Sequence, residues 1–412
     1  MKDATADPGS VNRLIFDTLP QLYQARSGTV AVDLEVAGEK SRFHSTVPLS
    51  PELEAYLRRA VSICDEVRPF TGTSIPEILG REWVQQKFAV AWLESRTQIT
   101  SWNLVLDYFR RLSLRTTENQ LIPKTLVLEP GPTLQQPATL SDPVYFKVFD
   151  WLASTPYTYF RVDQKLGIKA LESVSQPEVK DVQGYRFYPD LLHPVISTLK
   201  NPDSIVFHMT ANGSFMIAGK DGMLASKRRG AAWTIYDRDS IILSIAEILS
   251  RQIGENKAPE DPTCVACSLF QIIFDMGVKR QGGLIVLDRA ENLNAYVVKG
   301  IARAEASPLN SIFTHSPFNG LEYSIPEVRK LVELSSVDGA LILDLQGNLV
   351  QLGSMIISHS SAVNAFGMRD AAAYSAAKNG ATAFKISADG QVSLFFTTPH
   401  LTQSDVHRLD FL

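Results

Sequence analysis

The sequence predicts an α/β fold whose C-terminal part is a mixed β-sheet flanked by helices, preceded by mixed α+β N-terminal regions. Two continuous apolar runs, Gly283–Leu287 and Ala340–Leu343, are typical of strands buried on both faces. Helical patterns lie between these runs and after them. Buried strands interleaved with helices indicate a sheet that carries helices on its faces.

The chain is long enough to require several domains, because 412 residues exceed what one hydrophobic core usually supports. Residues 1–130 are predicted to be a mixed, largely helical domain, since apolar residues recur at helical spacing from Trp83 to Leu93. The proline-containing segment 123–143 is predicted to be a linker or an extended connection. Residues 143–237 are then a mixed domain that ends in a hairpin meander, and residues 238–400 form the α/β domain.

Short local signals place the remaining elements. Asn212-Gly213 separates two strand-like runs and is a strong hairpin signal, because both residues tolerate positive φ. A helix is predicted from Cys264 to Val278 and another, rich in alanine, from Arg369 to Asn379. A strand follows at Ala381–Ile386, and a last hairpin turns at Asp389-Gly390.

Composition excludes several classes of protein. The 40 basic and 44 acidic residues give a net charge of −4, so no nucleic-acid partner is predicted. The N-terminus lacks a signal-peptide core, and no apolar run approaches the roughly 18 residues of a membrane span, so we expect a cytoplasmic protein with no membrane contact. Cys264 and Cys267 form a CxxC pair without a second ligand pair, which favours packed side chains over a zinc site.

Three motifs occur in order within residues 238–400. They are the strand sequence Gly-Gly-Leu-Ile-Val-Leu at 282–287, Asp338-Gly339-Ala340, and the helix start Gly367-Met368-Arg369-Asp370. In order and spacing they resemble the diadenylate cyclase family, the N-terminal domain of DisA. The resemblance leaves residues 1–237 without an assigned function.

The resemblance implies an ATP site and a divalent metal. In that family, an Asp-Gly-Ala motif and a Gly-Thr-Arg-His-Arg-Ala-Ala motif form the site, and two facing domains join two ATP molecules into cyclic di-AMP. It implies that Asp338 is the catalytic residue and binds Mg²⁺ or Mn²⁺, and that the partners are an adenine nucleotide and a second copy of the chain. The residues carried over as nucleotide-binding are Gly339, Ala340, Gly367, Met368, Arg369 and Asp370.

Physical chemistry gives the helix start an independent interpretation. A glycine before a helix permits close approach of a ligand, the first N–H groups attract an anion, and Arg369 adds a forked cationic donor. An ordinary capped helix would explain the same residues. Asp338 likewise has an alternative interpretation as an Asp-Gly turn that begins a strand.

The sequence departs from the family pattern at the phosphate motif. Arg369-Asp370-Ala371 stands where the family has Arg-His-Arg, and loss of one charge-assisted hydrogen bond costs about 1.5–3 kcal/mol. The Asp370 carboxylate would repel a triphosphate unless a metal lay between them. His359 is considered as a substitute for the missing histidine, and Leu334–Val337 lacks the proline and histidine that usually precede Asp-Gly-Ala.

Three functions follow as hypotheses. The first is a sensor-type signalling protein that binds ATP or a related adenine nucleotide and has weak or no cyclase activity. The second is an active diadenylate cyclase, a nucleotidyltransferase. The third is a non-catalytic scaffold that keeps only the fold.

Overall fold

The computed structural model describes residues 30–36, 39–45, 50–67, 77–115, 121–131, 138–142, 146–155, 157–174, 186–228, 233–253, 262–302, 325–345, 347–359, 367–397 and 406–410. These residues form a two-stranded hairpin and two mixed sheets of seven strands each, with helices on both faces of the larger sheets. The predicted α/β class is therefore confirmed.

The first large sheet is central to the N-terminal half of the chain. Its strand order is β5-β4-β3-β6-β7-β8-β9, and β3 and β4 are its parallel pair. The separate hairpin consists of β1 (Val30–Val36) and β2 (Glu39–Ser45). The strands of the first sheet are β3 (Lys124–Leu128), β4 (Thr158–Val162), β5 (Ile168–Ser173), β6 (Ile205–Met209), β7 (Phe215–Gly219), β8 (Gly222–Lys227) and β9 (Trp233–Ile235).

Three helices cover one face of the first sheet and bury a core against it. The Ser50 hydroxyl caps the first of them by accepting the Leu53 N–H at 3.2 Å. Phe109 stacks on Phe207 of β6 with ring centroids 3.6 Å apart. The helices are α1 (Pro51–Val67), α2 (Glu77–Arg96) and α3 (Trp102–Ser113), and the short α4 (Phe146–Trp151) precedes β4.

The second large sheet occupies the C-terminal half. Its order is β11-β13-β12-β10-β14-β15-β16, and β10 and β12 are its parallel pair. The uninterrupted apolar sequences of β10 and β12 are buried throughout, as predicted. The strands are β10 (Gly283–Leu287), β11 (Val297–Ala302), β12 (Ala340–Leu343), β13 (Leu349–Ile356), β14 (Thr382–Ile386), β15 (Val392–Thr397) and β16 (Val406–Asp410).

A helical layer lies between the two large sheets and belongs to both cores. The residues from Val265 to Gly277 are all buried, which is typical of a helix that is apolar all round. One hydrophobic cluster joins this helix to Val206 of the first sheet and to Phe384 of the second. The helices on this side are α5 (His193–Ile196), α6 (Arg238–Ile253), α7 (Pro262–Lys279) and α8 (Ile325–Ser335).

The outer face of the second sheet carries α9 (Met368–Lys378). Ala373, Ala376 and Ala377 are fully buried there against Ala340 and Ala383 of the sheet. Small side chains on both surfaces bring the helix close to the strands.

The prediction of a linker at residues 123–143 is wrong where the structure describes this segment. Lys124–Leu128 is β3, a central strand whose five residues are all buried. The prolines misled the prediction, because Pro123 and Pro130 lie outside the strand and so do not interrupt its hydrogen bonds. Strands β11 and β16 were also not predicted.

Among the described helices, none is both long and apolar enough to cross a lipid bilayer. The CxxC pair lies in the first turns of α7, where Cys267 is buried and Cys264 is partly exposed.

Candidate functional site

The candidate site lies where β10 and β12 begin. These strands are parallel neighbours, with Leu284 opposite Ala340, so their N-terminal ends lie at the same edge of the sheet. Neighbouring strands are separated by about 4.8 Å. Gly282 and Asp338, the residues two positions before this pair, are therefore close together. We call this the β10/β12 edge.

Arg369 reaches this edge from the first turn of α9. The Arg369 guanidinium occupies the space that a Cβ atom on Gly282 would need, so a larger residue at position 282 would displace it. The same hypothetical Cβ would lie 3.3 Å from the backbone nitrogen of Ala388. The absence of a side chain at Gly282, just before β10, thus makes room for a cationic side chain at the edge that also carries Asp338.

The Asp338-Gly339 turn depends on glycine. Gly339 has φ of +96°, and a Cβ atom there would lie 2.6 Å from the carbonyl carbon of Gly353 on β13. Its N–H is 3.1 Å from the exposed Asp338 carboxylate, which accepts this hydrogen bond. The close approach of the Gly339 and Gly353 backbones fixes the position of Asp338 at the start of β12.

The start of α9 is exposed among the described residues. Gly367 has an extended backbone with φ of 170°, and a Cβ atom there would meet none of the described atoms within 4 Å. No side chain in the described ranges caps this end, and the Met368 side chain is 91% exposed. The first N–H groups of a helix have no partner within the helix, so they face outward here as donors.

Asp370 lies differently from the exposed residues of this turn. Its side chain is buried, and its Oδ1 is 3.3 Å from Nζ of Lys385 on β14, which is also buried. The negative charge that we expected to repel a triphosphate is therefore compensated by Lys385. Sequence reasoning missed Lys385, because no local pattern links it to a helix start 15 residues upstream.

Two other predicted positions contribute in limited ways. Ala340 is 1% exposed, so its side chain is not accessible to a ligand at the edge. His359 is exposed, and its N–H donates to Oγ of Ser375 on α9 at 2.7 Å. This bond ties the chain after β13 to α9, while a role for the imidazole stays a hypothesis.

The described residues contain no group of three or more His, Cys, Asp or Glu side chains that could hold a metal ion. Asp338 is a single carboxylate at the edge. Mg²⁺ commonly binds through one or two carboxylates, with substrate phosphates and water completing its shell. The residues present therefore fit a metal that arrives with a nucleotide, and do not fit a resident metal cage.

Exposed apolar side chains border Asp338, and sequence reasoning missed them. Val337 is 45% exposed, and Met355 and Ile357 at the end of β13 are 60% and 50% exposed. Ser354 pairs with Ala340, so the end of β13 adjoins the Asp338 turn. A carboxylate, a guanidinium and an apolar surface thus lie around one edge.

Comparison with known proteins adds little to this description. No family model matches the chain, and no curated protein matches it. The crystal structure of a hypothetical membrane spanning protein from Bacillus cereus aligns with 42% of this chain and 72% of its own, at 14% identity and a TM-score of 0.29. DacA from Staphylococcus aureus aligns with 34% of this chain and 83% of its own, at 22% identity and a TM-score of 0.23. Scores this low carry no argument about function.

Fold and site together define a class: an α/β protein with two mixed sheets and an open, polar edge on the second. Its function must be argued from that edge.

Proposed function

We propose that the β10/β12 edge binds an adenine nucleotide together with Mg²⁺ or Mn²⁺, and that the protein is a sensor-type nucleotide-binding protein. The observation that carries this proposal is the position of the Arg369 guanidinium at Gly282, on the strand next to Asp338. A forked cation and a carboxylate at one edge are the complements of a phosphate chain and its metal.

Each part of the edge has a role in the proposed complex. Arg369 and the N–H groups at the start of α9 hold the phosphates. Asp338 holds the metal, whose remaining ligands are phosphate and water oxygens. The apolar side chains of Val337 and Met355 offer a surface for the base. Gly339 and Ala340 contribute their backbone.

Weak or absent catalysis is proposed because donors are few. Asp370 and Ala371 stand where the diadenylate cyclase family has His and Arg. The Asp370 carboxylate is paired with Lys385, so it does not replace a donor. Each missing transition-state donor lowers a rate by about 10²–10³.

An active diadenylate cyclase is the second candidate, and it rests on the resemblance of the three motifs. It requires a second copy of the chain to supply the facing site. A scaffold that binds no nucleotide is the third candidate. Neither has a contact in the described residues that favours it over nucleotide binding.

The proposal is tested with purified full-length protein, ATP and Mg²⁺ or Mn²⁺. Calorimetry measures ATP binding to the wild type, Asp338→Asn and Arg369→Gln, and mass spectrometry measures cyclic di-AMP. We expect Arg369→Gln to weaken binding by about 10- to 100-fold, the value of one charge-assisted contact. Arg110→Gln removes an exposed charge on α3, away from the edge, and serves as the control.

The outcomes separate the three candidates. ATP binding that depends on Arg369 and Asp338, with no cyclic di-AMP formed, supports the sensor. Product that disappears in Asp338→Asn establishes the cyclase instead. Absence of binding leaves the scaffold.

A further inference from the structure

The two large sheets have the same topology. Six consecutive strands of the first sheet, in the order β5-β4-β3-β6-β7-β8, match β13-β12-β10-β14-β15-β16 of the second. In each set, the strand that comes first along the chain pairs in parallel with the second: β3 with β4, and β10 with β12. The other four pairings of each set are antiparallel. We call residues 121–236 the first unit and residues 262–410 the second unit.

The register of the first strand of each unit with its two neighbouring strands also agrees. Leu126 pairs with Phe160 and with Phe207 in the first unit, and Ile285 pairs with Leu341 and Phe384 in the second. Leu126-Val127-Leu128-Glu129 thus corresponds to Ile285-Val286-Leu287-Asp288. The next backbone bond is shared as well, since Glu129 N–H donates to Val162 and Asp288 N–H donates to Leu343.

Two turns repeat in both units. In the first unit, the Thr210 N–H donates to the Ser214 carbonyl and the Gly213 N–H donates to the Thr210 carbonyl. In the second unit, the equivalent bonds run from the Ser387 N–H to the Gln391 carbonyl and from the Gly390 N–H to the Ser387 carbonyl. The sequences around these turns, Phe-His-Met-Thr-Ala-Asn-Gly and Phe-Lys-Ile-Ser-Ala-Asp-Gly, begin at Phe207 and Phe384.

The turn after the crossover strand is the second repeat. Asp163 N–H donates to Gly167 and Leu166 N–H to Asp163. Asp344 N–H donates to Asn348 and Gly347 N–H to Asp344. The residue at the third position after the aspartate has positive φ in both, Leu166 at 62° and Gly347 at 82°. Agreement of topology, register and turns indicates one fold present twice.

The units differ on the face that carries α9 in the second unit. Val286, Ala340 and Ala383 pack against α9, and their counterparts are Val127, Tyr159 and Val206. At the place of α9, the first unit has a 3₁₀ turn at Asp190–Leu192 and the four-residue α5. The helices α6 and α7, which follow the first unit in the chain, complete the layer on this face.

The site residues are not repeated. By strand register, Tyr157 stands at the place of Asp338 and Thr158 at the place of Gly339. The first unit therefore lacks the carboxylate, the glycine turn and a helix start with an arginine at this edge, within its described residues.

We propose that the first unit is a diverged second copy of the same fold, and that its face equivalent to the α9 face of the second unit has become the docking surface for the helices α6, α7 and α8. Each chain then has one nucleotide site, at the β10/β12 edge. The number of nucleotide sites rests on the proposed function, whereas the docking of the helices on the first unit does not.

A polar cluster spans the docked surface, and we call it the inter-unit latch. It contains Arg186 and Asp190 of the first unit, Asp275 of α7 and Arg329 of α8. Arg329 Nη2 and Nε lie 2.7 and 3.0 Å from Oδ2 of Asp190, and Arg186 Nη1 lies 3.2 Å from Oδ1. Asp190 N–H donates to Oδ1 of Asp275 at 2.8 Å.

The latch holds the helix that leads into the site. α8 ends at Ser335, and Ser336 and Val337 continue in turn bonds to Glu333 and Leu334. Asp338 follows directly. Arg329 and Asp190 are thus positioning residues for Asp338, through α8, and touch no ligand themselves.

Hydrogen exchange on the full-length chain without nucleotide tests the docking. Arg329→Gln is compared with Arg115→Gln, which removes a similar ion pair between the end of α3 and α4. The Arg115–Asp150 distance is also 2.7 Å, and the side-chain exposures are 45% and 14%, against 48% and 21% for Arg329–Asp190. We expect Arg329→Gln to speed exchange in α8 and residues 336–340 by about two- to fivefold. Arg115→Gln should leave those amides unchanged.

Asp190→Asn provides a second variant with the same expected direction in α8. Unchanged exchange in α8 for both variants would overturn the latch and the docking. The stoichiometry from calorimetry tests the number of sites. One ATP bound per chain supports a single site at the β10/β12 edge, and two ATP per chain would overturn it. If ATP does not bind, the proposed function is wrong, and hydrogen exchange alone decides the docking.

Discussion

At the scale of single residues, Gly339 and Gly367 of the candidate site have different physical roles. Gly339 has positive φ and a backbone neighbour 2.6 Å from where its Cβ would be. Gly367 has extended backbone, and none of the described atoms lies within 4 Å of where its Cβ would be. The sequence suggested close ligand approach at Gly367, but only Gly339 is required by the fold.

This difference predicts unequal effects of the same substitution. Gly339→Ala should lower the free energy of unfolding by about 1–3 kcal/mol, because it combines a strained φ with a clash against β13. It should also weaken ATP binding, since the Asp338 turn must move. Gly367→Ala should change stability by less than about 0.5 kcal/mol, which is ordinary for an exposed position. Urea unfolding of both variants measures the contrast, and equal losses would contradict it.

At the scale of elements, α9 is anchored to the sheet by a buried ion pair. Asp370 in its first turn and Lys385 on β14 are both buried. Removing one member of such a pair leaves an uncompensated charge in a medium of low dielectric constant.

We predict that Lys385→Met lowers the free energy of unfolding by about 3–5 kcal/mol. The double variant Asp370→Asn, Lys385→Met should recover a large part of that loss, because no buried charge remains. Lys330→Met, at an exposed lysine of α8, is the control. Chemical denaturation of the three proteins provides the test. If Lys385→Met and the double variant were equally stable, an uncompensated Asp370 charge would not be the cause of the loss, and the prediction would be wrong.

Sequence patterns predicted the elements with local signals. The apolar run Gly283–Leu287 and the Asn212-Gly213 hairpin are present as expected, and Gly213 has φ of +79°. β3 was missed because proline signals outweighed five buried residues that show no alternation. β11 and β16 were missed because they are the two edge strands of the second sheet, at its opposite ends, and each pairs with a single neighbouring strand.

The candidate site was predictable only in part. The motifs located Asp338 and Arg369, but the contact of Arg369 with Gly282 depends on how α9 packs on the sheet. Lys385 and Gly353 act through residues distant in sequence, so no local pattern could assign them. The repeated fold was also hidden, since corresponding strands share a pattern of burial and few identical residues.

At the scale of the whole molecule, the helical layer between the sheets carries a buried carboxyl group. Burial raises the pKa of Asp275 to about 7. The hydrogen bond from the Asp190 backbone N–H opposes this rise, as do Lys279 and Arg186, whereas the Asp190 charge adds to it. The neutral form is thus favoured in the folded protein, whereas an unfolded aspartate has a pKa of about 3.9.

This shift predicts a dependence of stability on pH. Between about pH 4 and 7 the folded state binds more protons than the unfolded state, so the contribution of Asp275 to stability falls as pH rises and is constant above. Asp275→Asn retains an acceptor for the Asp190 N–H and removes the titration. It should be more stable than the wild type by about 2–4 kcal/mol at pH 8, and similar at pH 4. Thermal unfolding across this range measures the difference, and parallel curves for the two proteins would contradict it.

The central claim is that the second unit holds the chain's nucleotide site. The most direct measurement is hydrogen exchange of the full-length protein with and without ATP and Mg²⁺. We predict slower exchange at residues 338–341 and 367–372, no change in β3 and β4, and loss of this protection in Arg369→Gln. Protection confined to the first unit, or none at saturating ATP, would contradict the claim.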